Sequence, residues 1–176
     1  REQWTRLKGE IPPIPIANSR FAPGSDLAVG ADTNNQNLAP IFPYRLYGPT
    51  KPDLQLAVDS YNARTGQSPR DGTEAWRHDA AHAAYLGLAN EAKSLAVARF
   101  TRYKYRYQGF LNGAPDGDHC IEPGAIGKIA LQAMLLHPGK DQTLNVLNGW
   151  PSGWNARFKL WGPKKTWVAG QVTGNT

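Results

Sequence analysis

Residues Asn112 to Leu136 read NGAPDGDHCIEPGAIGKIALQAMLL, and the two halves differ in kind. The second half, Gly124 to Leu136, is apolar nearly all round, interrupted only by Lys128 and Gln132 one helical turn apart. A helix of that composition belongs in an interior, and His137-Pro138-Gly139 terminates it. The first half sets Asp116, Asp118, His119 and Glu122 among Gly and Pro. Two readings stand for it. Asp and Gly favour turns, and Glu122-Pro123 suits a helix start, so the segment reads as a surface turn with a cap. Ionisable groups at the mouth of a buried helix also make a polar pocket on a rigid support.

Outward from this stretch, apolar spacing predicts three earlier helices. Thr50 to Arg64 carries Leu54, Ala57, Val58 and Tyr61 on one face, with Thr50 as cap, Asp53 three residues on and Gly66 as stop. Thr73 to Leu86, stopped near Gly87, carries Trp76, Ala80, Ala83 and Ala84 on one stripe and His78, Asp79 and His82 on another. The two histidines are one turn apart, a spacing that can hold a metal. The glutamate of the zinc pattern is missing between them, and hydrogen-bonded histidines are the default, so no metal is expected. Asn90 is placed to cap a helix from Glu91 to about Arg102, with Ala92, Leu95, Ala96 and Phe100 apolar. Residues 1 to 43 read as mostly irregular, with Pro12, Pro13 and Pro15 forcing an extended path. A loop that long either packs on something or lines a site. After Gln142 the character changes. Thr143–Leu147, Ala156–Trp161 and Thr166–Val172 read as short strands between Gly/Pro turns. The expected division is a helical part, 1–140, and a β-rich tail, 141–176.

The chain has 176 residues, 40% hydrophobic and 19% charged, which is a globular composition. Its formal charge is +6, yet the bases are scattered, so a solvated basic surface is the simpler reading than a nucleic-acid groove. One run, Arg102 to Phe110 (RYKYRYQGF), interleaves bases with aromatics in a manner that suits single-stranded nucleic acid. The same alternation suits an extended segment with one aromatic face packed down. Cys120 is the only cysteine, which excludes an internal disulfide and zinc sites built from several cysteines. No apolar run approaches the roughly 18 residues of a membrane span. No phosphate-binding Gly-rich loop is present, and no cofactor is expected.

Three segments carry a family resemblance. LAPIFPYRLYGPTKPDLQLA (Leu38–Ala57), AWRHDAAHAAYLGLANEA (Ala75–Ala92) and IALQAMLLHPGKDQTLNVLNGWPSGWNARFKLWGPKKTWVAGQV (Ile129–Val172) resemble segments of bacterial and fungal six-hairpin glycosidases. Glycoside hydrolase family 95, α-L-fucosidases and α-galactosidases, is the nearest named group. The resemblance implies a mainly α fold, an (α/α)6 toroid with a β-rich tail. With about four helices read here, the chain would hold the final third or so of such a barrel. The rest would be supplied by a longer chain or a self-partner.

The resemblance also implies inverting hydrolysis of O-glycosidic bonds, with an acid and a base far enough apart to admit a water. The proton donor of the family lies upstream of the matched region. The water-activating group falls on Glu122, or on Asp118 if the turn is longer here. An Asp-His pair in related proteins would favour Asp118-His119, beside Asp116. The resemblance gives Trp76, His78 and Asp79 a substrate-binding role, and it brings Asn35 and Asn37 near the site.

A secreted glycoside hydrolase, extracellular or periplasmic, acting on an oligosaccharide or polysaccharide is therefore the first expectation. A non-catalytic carbohydrate binder with a platform from Trp76, Trp150, Trp154 or Trp161 is the second. A basic nucleic-acid binder using Arg102 to Tyr107 is the third.

Overall fold

The computed structural model describes residues 2–25, 34–65, 77–101 and 122–174. Among them are five α-helices and three antiparallel strand pairs. Helix α1 is Glu2–Glu10, followed by β1 (Ile16–Ala17) and β2 (Arg20–Phe21). Helices α2 (Leu54–Asn62), α3 (Asp79–Leu86), α4 (Ala89–Thr101) and α5 (Glu122–Leu135) come next. Strands β3 (Leu136–Pro138), β4 (Leu144–Val146), β5 (Ala156–Gly162) and β6 (Thr166–Val172) close the order. With about 43% helix and 18% strand, this is a mixed α/β structure, which corrects the expectation of a mainly α chain. In chain order one strand pair precedes helices α2 to α5 and two follow them. No toroid is seen among the described residues.

The centre is the mutual packing of α3, α4 and α5. Every residue of α3 is buried, and four of its eight are alanines, Ala80, Ala81, Ala83 and Ala84. Such small side chains let helix axes approach on more than one side. Gly87 ends α3 at φ 76, left-handed backbone that glycine adopts without a Cβ penalty, and α4 starts two residues later. Ala92, Leu95 and Ala96 of α4 are buried, with Ile126, Ala130, Ala133 and Met134 of α5. Lys128 and Gln132 are the exposed positions of α5 among its described side chains, 124–135, where the periodicity put them.

Helix α2 buries Ala57 and Tyr61 as its spacing predicted, but starts four residues later than expected. Asp53 takes a left-handed φ of 56 and makes no side-chain cap. Thr50 is not a cap either. Its hydroxyl accepts from the Lys140 N–H (3.1 Å) and from Asn145 Nδ2 (3.4 Å), tying the loop before α2 to the β3–β4 hairpin. The expected stop, Gly66, lies outside the described residues.

The described part of residues 1 to 43 holds a helix and a hairpin where a mostly irregular path was expected. β1 and β2 form a hairpin through Asn18 and Ser19, both at positive φ (52 and 57), the geometry of a two-residue turn matched to strand twist. Ser60 Oγ of α2 accepts from the Phe21 N–H at 2.8 Å, which seats this hairpin on the core. Helix α1 has no buried residue, although Trp4 and Leu7, with Ile11 just beyond, recur at helical spacing. It is helical through the propensity of Glu, Gln, Arg, Leu and Lys and an Arg6–Glu10 ion pair one turn apart.

Helix α5 runs into β3 without a loop, where a plain stop at His137-Pro138-Gly139 was expected. β3 pairs with β4, Leu136 opposite Val146. β5 and β6 match the expected strands to within a residue and pair Ala156 with Val172 through Gly162 with Thr166. β5 also touches β3, which seats the last hairpin beside the end of α5. Trp150 and Trp154 pack edge to face at 5.5 Å against the core, and Trp150 Nε1 donates to the Trp154 carbonyl.

Candidate functional site

Two of the expected site residues, Asn35 and His78, line one cleft of 470 Å3 together with Asn34, Gln36, Phe42 and His82. Its floor is the start of α3. His78 is the residue just before the helix, and His82 follows one turn on, their rings 6.1 Å apart. Phe42, which precedes Pro43 through a cis peptide, presents its ring edge-on to His78 (5.5 Å) and His82 (6.5 Å). Residues 34–36 form the rim.

The tautomer of His82 follows from its partner. Nε2 lies 3.2 Å from the Phe42 carbonyl, which only accepts, so Nε2 carries the proton. Nδ1 is then a bare acceptor, buried, with no hydrogen-bond partner among the described residues. Burial pushes the His82 pKa down to about 4, against an opposing pull from Asp79. Burial and the Arg99 charge also lower that of His78. Both imidazoles are therefore neutral at pH 7, each with a donor and an acceptor.

Behind the floor lies an ionic cluster. Asp79, fully buried, accepts from Arg77 Nη2 at 2.7 Å and Arg64 Nε at 3.3 Å. Arg64 Nη2 reaches Glu91 at 2.6 Å. Arg99 donates to the Arg77 carbonyl, and burial draws its pKa down to about 10 although Asp79 pulls the other way. The cluster joins α2, α3 and α4 and fixes the helix start that carries the two histidines. Asp79 thus engages arginines beneath the cleft and does not line it.

The remaining expected residues are distributed as follows. Asn35 is 2% exposed, and its side chain bridges to Thr65, accepting from Thr65 N (3.0 Å) and donating to Thr65 O (3.3 Å). Asn37 does not line the cleft; its amide donates to the Phe21 carbonyl at 3.1 Å. Glu122 is the first residue of α5, and its side chain lies outside the described residues, as do Trp76, Asp116, Asp118, His119, Cys120 and the Arg102–Phe110 run.

Sequence reasoning paired His82 with His78 but left it out of the site. It gave Gln36 and Phe42 no role. Their only signal was proximity to Asn35 and to the FPYRLYG run.

A cleft with neutral imidazoles, amide groups and one aromatic wall suits an uncharged polyhydroxylated ligand, the His82 Nδ1 acceptor being unpartnered there while Asn35 is held by Thr65. No carboxylate lines it among the described residues, so they supply no acid–base pair there. No three His, Cys, Asp or Glu residues among them are grouped as metal ligands. No helix among them is long and apolar enough to cross a membrane. Compared with protein-family models, curated proteins and solved structures, the chain finds no match, so the cleft is read from its own chemistry.

Proposed function

We propose that this chain is the C-terminal portion of a six-hairpin glycoside hydrolase, and that the Asn35–His78 cleft takes a neutral sugar ring of an oligosaccharide. The observation that carries the reading is the meeting of Asn35 and His78, far apart in sequence, on one cleft with Phe42. Pyranose rings pair hydroxyl groups with an apolar face, and the cleft offers both kinds of partner. The order of elements is further support, since α3, α4 and α5 pack together and the last helix leads into a β-rich tail. In this reading the helices are part of an (α/α)6 toroid, hydrolysis is inverting, and the whole protein is secreted. Trp4 and Ile11 are 73% and 68% exposed at one edge of α1, which supports a covering segment from a longer chain or a second copy.

The absence of a carboxylate from the cleft walls among the described residues favours one alternative, a non-catalytic carbohydrate binder. An active full-length preparation separates the two. Asp118→Asn and Glu122→Gln, made singly, are assayed for turnover on aryl glycosides and oligosaccharides, with the product anomer read by NMR. Loss of turnover in one of them, with retained folding and an inverted product, is the expected result. Near-parental turnover in both would leave the Asp116–Glu122 segment a turn and reject the catalytic assignment. Sugar binding that is lost in His78→Ala, without any turnover in the parent, would select the binder.

A further inference from the structure

A second cleft, of 660 Å3, opens on the other side of Phe42, where the end of α5 and β3 meet the β5–β6 hairpin. Its walls include Arg45, Tyr85, His137, Lys159, Trp161 and Trp167, and no Asp or Glu among the described residues. We propose that this cleft binds a carboxylate-bearing sugar, a uronate residue of an acidic oligosaccharide. The inference stands on this cleft and does not require the glycosidase reading.

Three features carry it. The first is an excess of positive charge. Arg45 and Lys159 both line the cleft, and Lys51 stands close behind, donating to the Arg45 carbonyl. Burial and the Arg45 charge lower the Lys51 pKa. A negative ligand would relieve that repulsion.

The second is the aromatic surface. Trp161 and Trp167 oppose each other across β5 and β6, stacked at 3.8 Å, and remain 60% and 50% exposed. Lys159, two residues before Trp161 on the same face of the hairpin, lies 4.9 Å from the Trp167 ring. Arg45 stands 5.2 Å over Tyr85. Each cation therefore sits beside an aromatic ring, an arrangement that offers a stacking face to a sugar and a positive group to its acid.

The third is His137. It is 97% buried (3% exposed), and its Nε2 has no hydrogen-bond partner among the described residues. Burial first, then the Lys51 and Arg45 charges, hold it neutral, so it offers a polar group to a hydroxyl. The helix end lining the cleft is the C-terminal end of α5, whose dipole is negative. That opposes any anion, a multiply charged phosphate more than a single carboxylate, so the attraction for the carboxylate comes from Arg45 and Lys159.

The test uses the intact native protein and titration calorimetry, with a digalacturonate as probe and the corresponding neutral disaccharide beside it. The expected result is at least tenfold tighter binding of the uronate, reduced at least tenfold in both Arg45→Gln and Lys159→Gln. These exposed side chains leave the core untouched, and thermal melts establish that each variant is folded. Trp161→Ala is expected to weaken the uronate and to leave neutral-sugar binding, which belongs to the first cleft, unchanged. His78→Ala is expected to leave uronate binding unchanged, which separates this site from the first cleft. Equal affinity for acidic and neutral sugars in His78→Ala, uronate binding that survives both charge substitutions, or an equal response to a sulfated oligosaccharide of the same length would each overturn the proposal.

Discussion

His82 gives the structure a pH dependence that can be worked out in advance. The perturbation is acidification from about pH 7.5 to about pH 5. An unfolded histidine titrates near 6.5, whereas burial holds His82 at about 4 in the folded protein. The unfolded state therefore takes up a proton first. The stability that His82 contributes is fully present above pH 6.5, is lost as pH falls towards 4, and falls no further below that. At about 1.4 kcal/mol per unit, the full span is about 3 kcal/mol, of which about 2 kcal/mol has gone by pH 5. His78 and His137 are displaced in the same direction, so the parent's slope alone does not isolate His82. His82→Gln does, because glutamine keeps a donor for the Phe42 carbonyl and has no charge to gain. The assay is urea unfolding followed by tryptophan fluorescence at several pH values. The expected result is a parent-minus-variant difference that shrinks by about 2 kcal/mol between pH 7.5 and pH 5. A difference constant to within about 0.5 kcal/mol, the size of an ordinary surface effect, would refute the account of a buried neutral His82.

Three further outcomes follow from particular contacts. Asp79→Ala removes the carboxylate shared by Arg64 and Arg77 and is expected to cost roughly 3–5 kcal/mol in chemical denaturation, as broken buried pairs do; a loss under about 1 kcal/mol would mean the cluster is more hydrated than its burial indicates. Gly87→Ala forces a Cβ into left-handed backbone and to 2.6 Å from Asn148 Nδ2, so a destabilisation of at least about 1–2 kcal/mol should appear in thermal melts. Thr50→Val deletes the hydroxyl that receives Lys140 N–H and Asn145, and should lower stability by about 1 kcal/mol; unchanged stability would show that the tie contributes nothing.

Legibility in the sequence tracked how local each cause is. β5 and β6 were readable because their alternation and the Gly162-Pro163 turn lie within one short stretch. α5 was readable because its burial leaves only Lys128 and Gln132 polar inside an apolar run. α1 was missed although Trp4, Leu7 and Ile11 keep helical spacing, because the three prolines that follow made the whole segment read as irregular. Thr50 looked like a cap because threonine before Lys-Pro-Asp usually is one, while its actual partners lie beyond residue 139. The same limit governs the cleft. His78 and His82 could be paired by spacing, but the Phe42 carbonyl that sets the tautomer of His82 comes from a distant loop. Asp79 could be seen as a carboxylate beside two histidines. That it turns to Arg64 and Arg77 is decided by where α2 and the start of α3 meet.

The Thr50 tie also bears on how the chain assembles during synthesis. Its partners lie 90 and 95 residues downstream. At translation rates of about 5–20 residues per second, the loop before α2 waits roughly 5–20 seconds for them. α2 can form in microseconds and seat against the β1–β2 hairpin that precedes it, but its packing against α3 waits until that helix has emerged. Long-range closures of this kind slow folding, because the entropy of the closed loop is lost before the contacts compensate for it. The Thr50 tie is therefore among the last contacts to be made, and until then the loop before α2 stays open to proteases and to chaperone capture in the nascent chain.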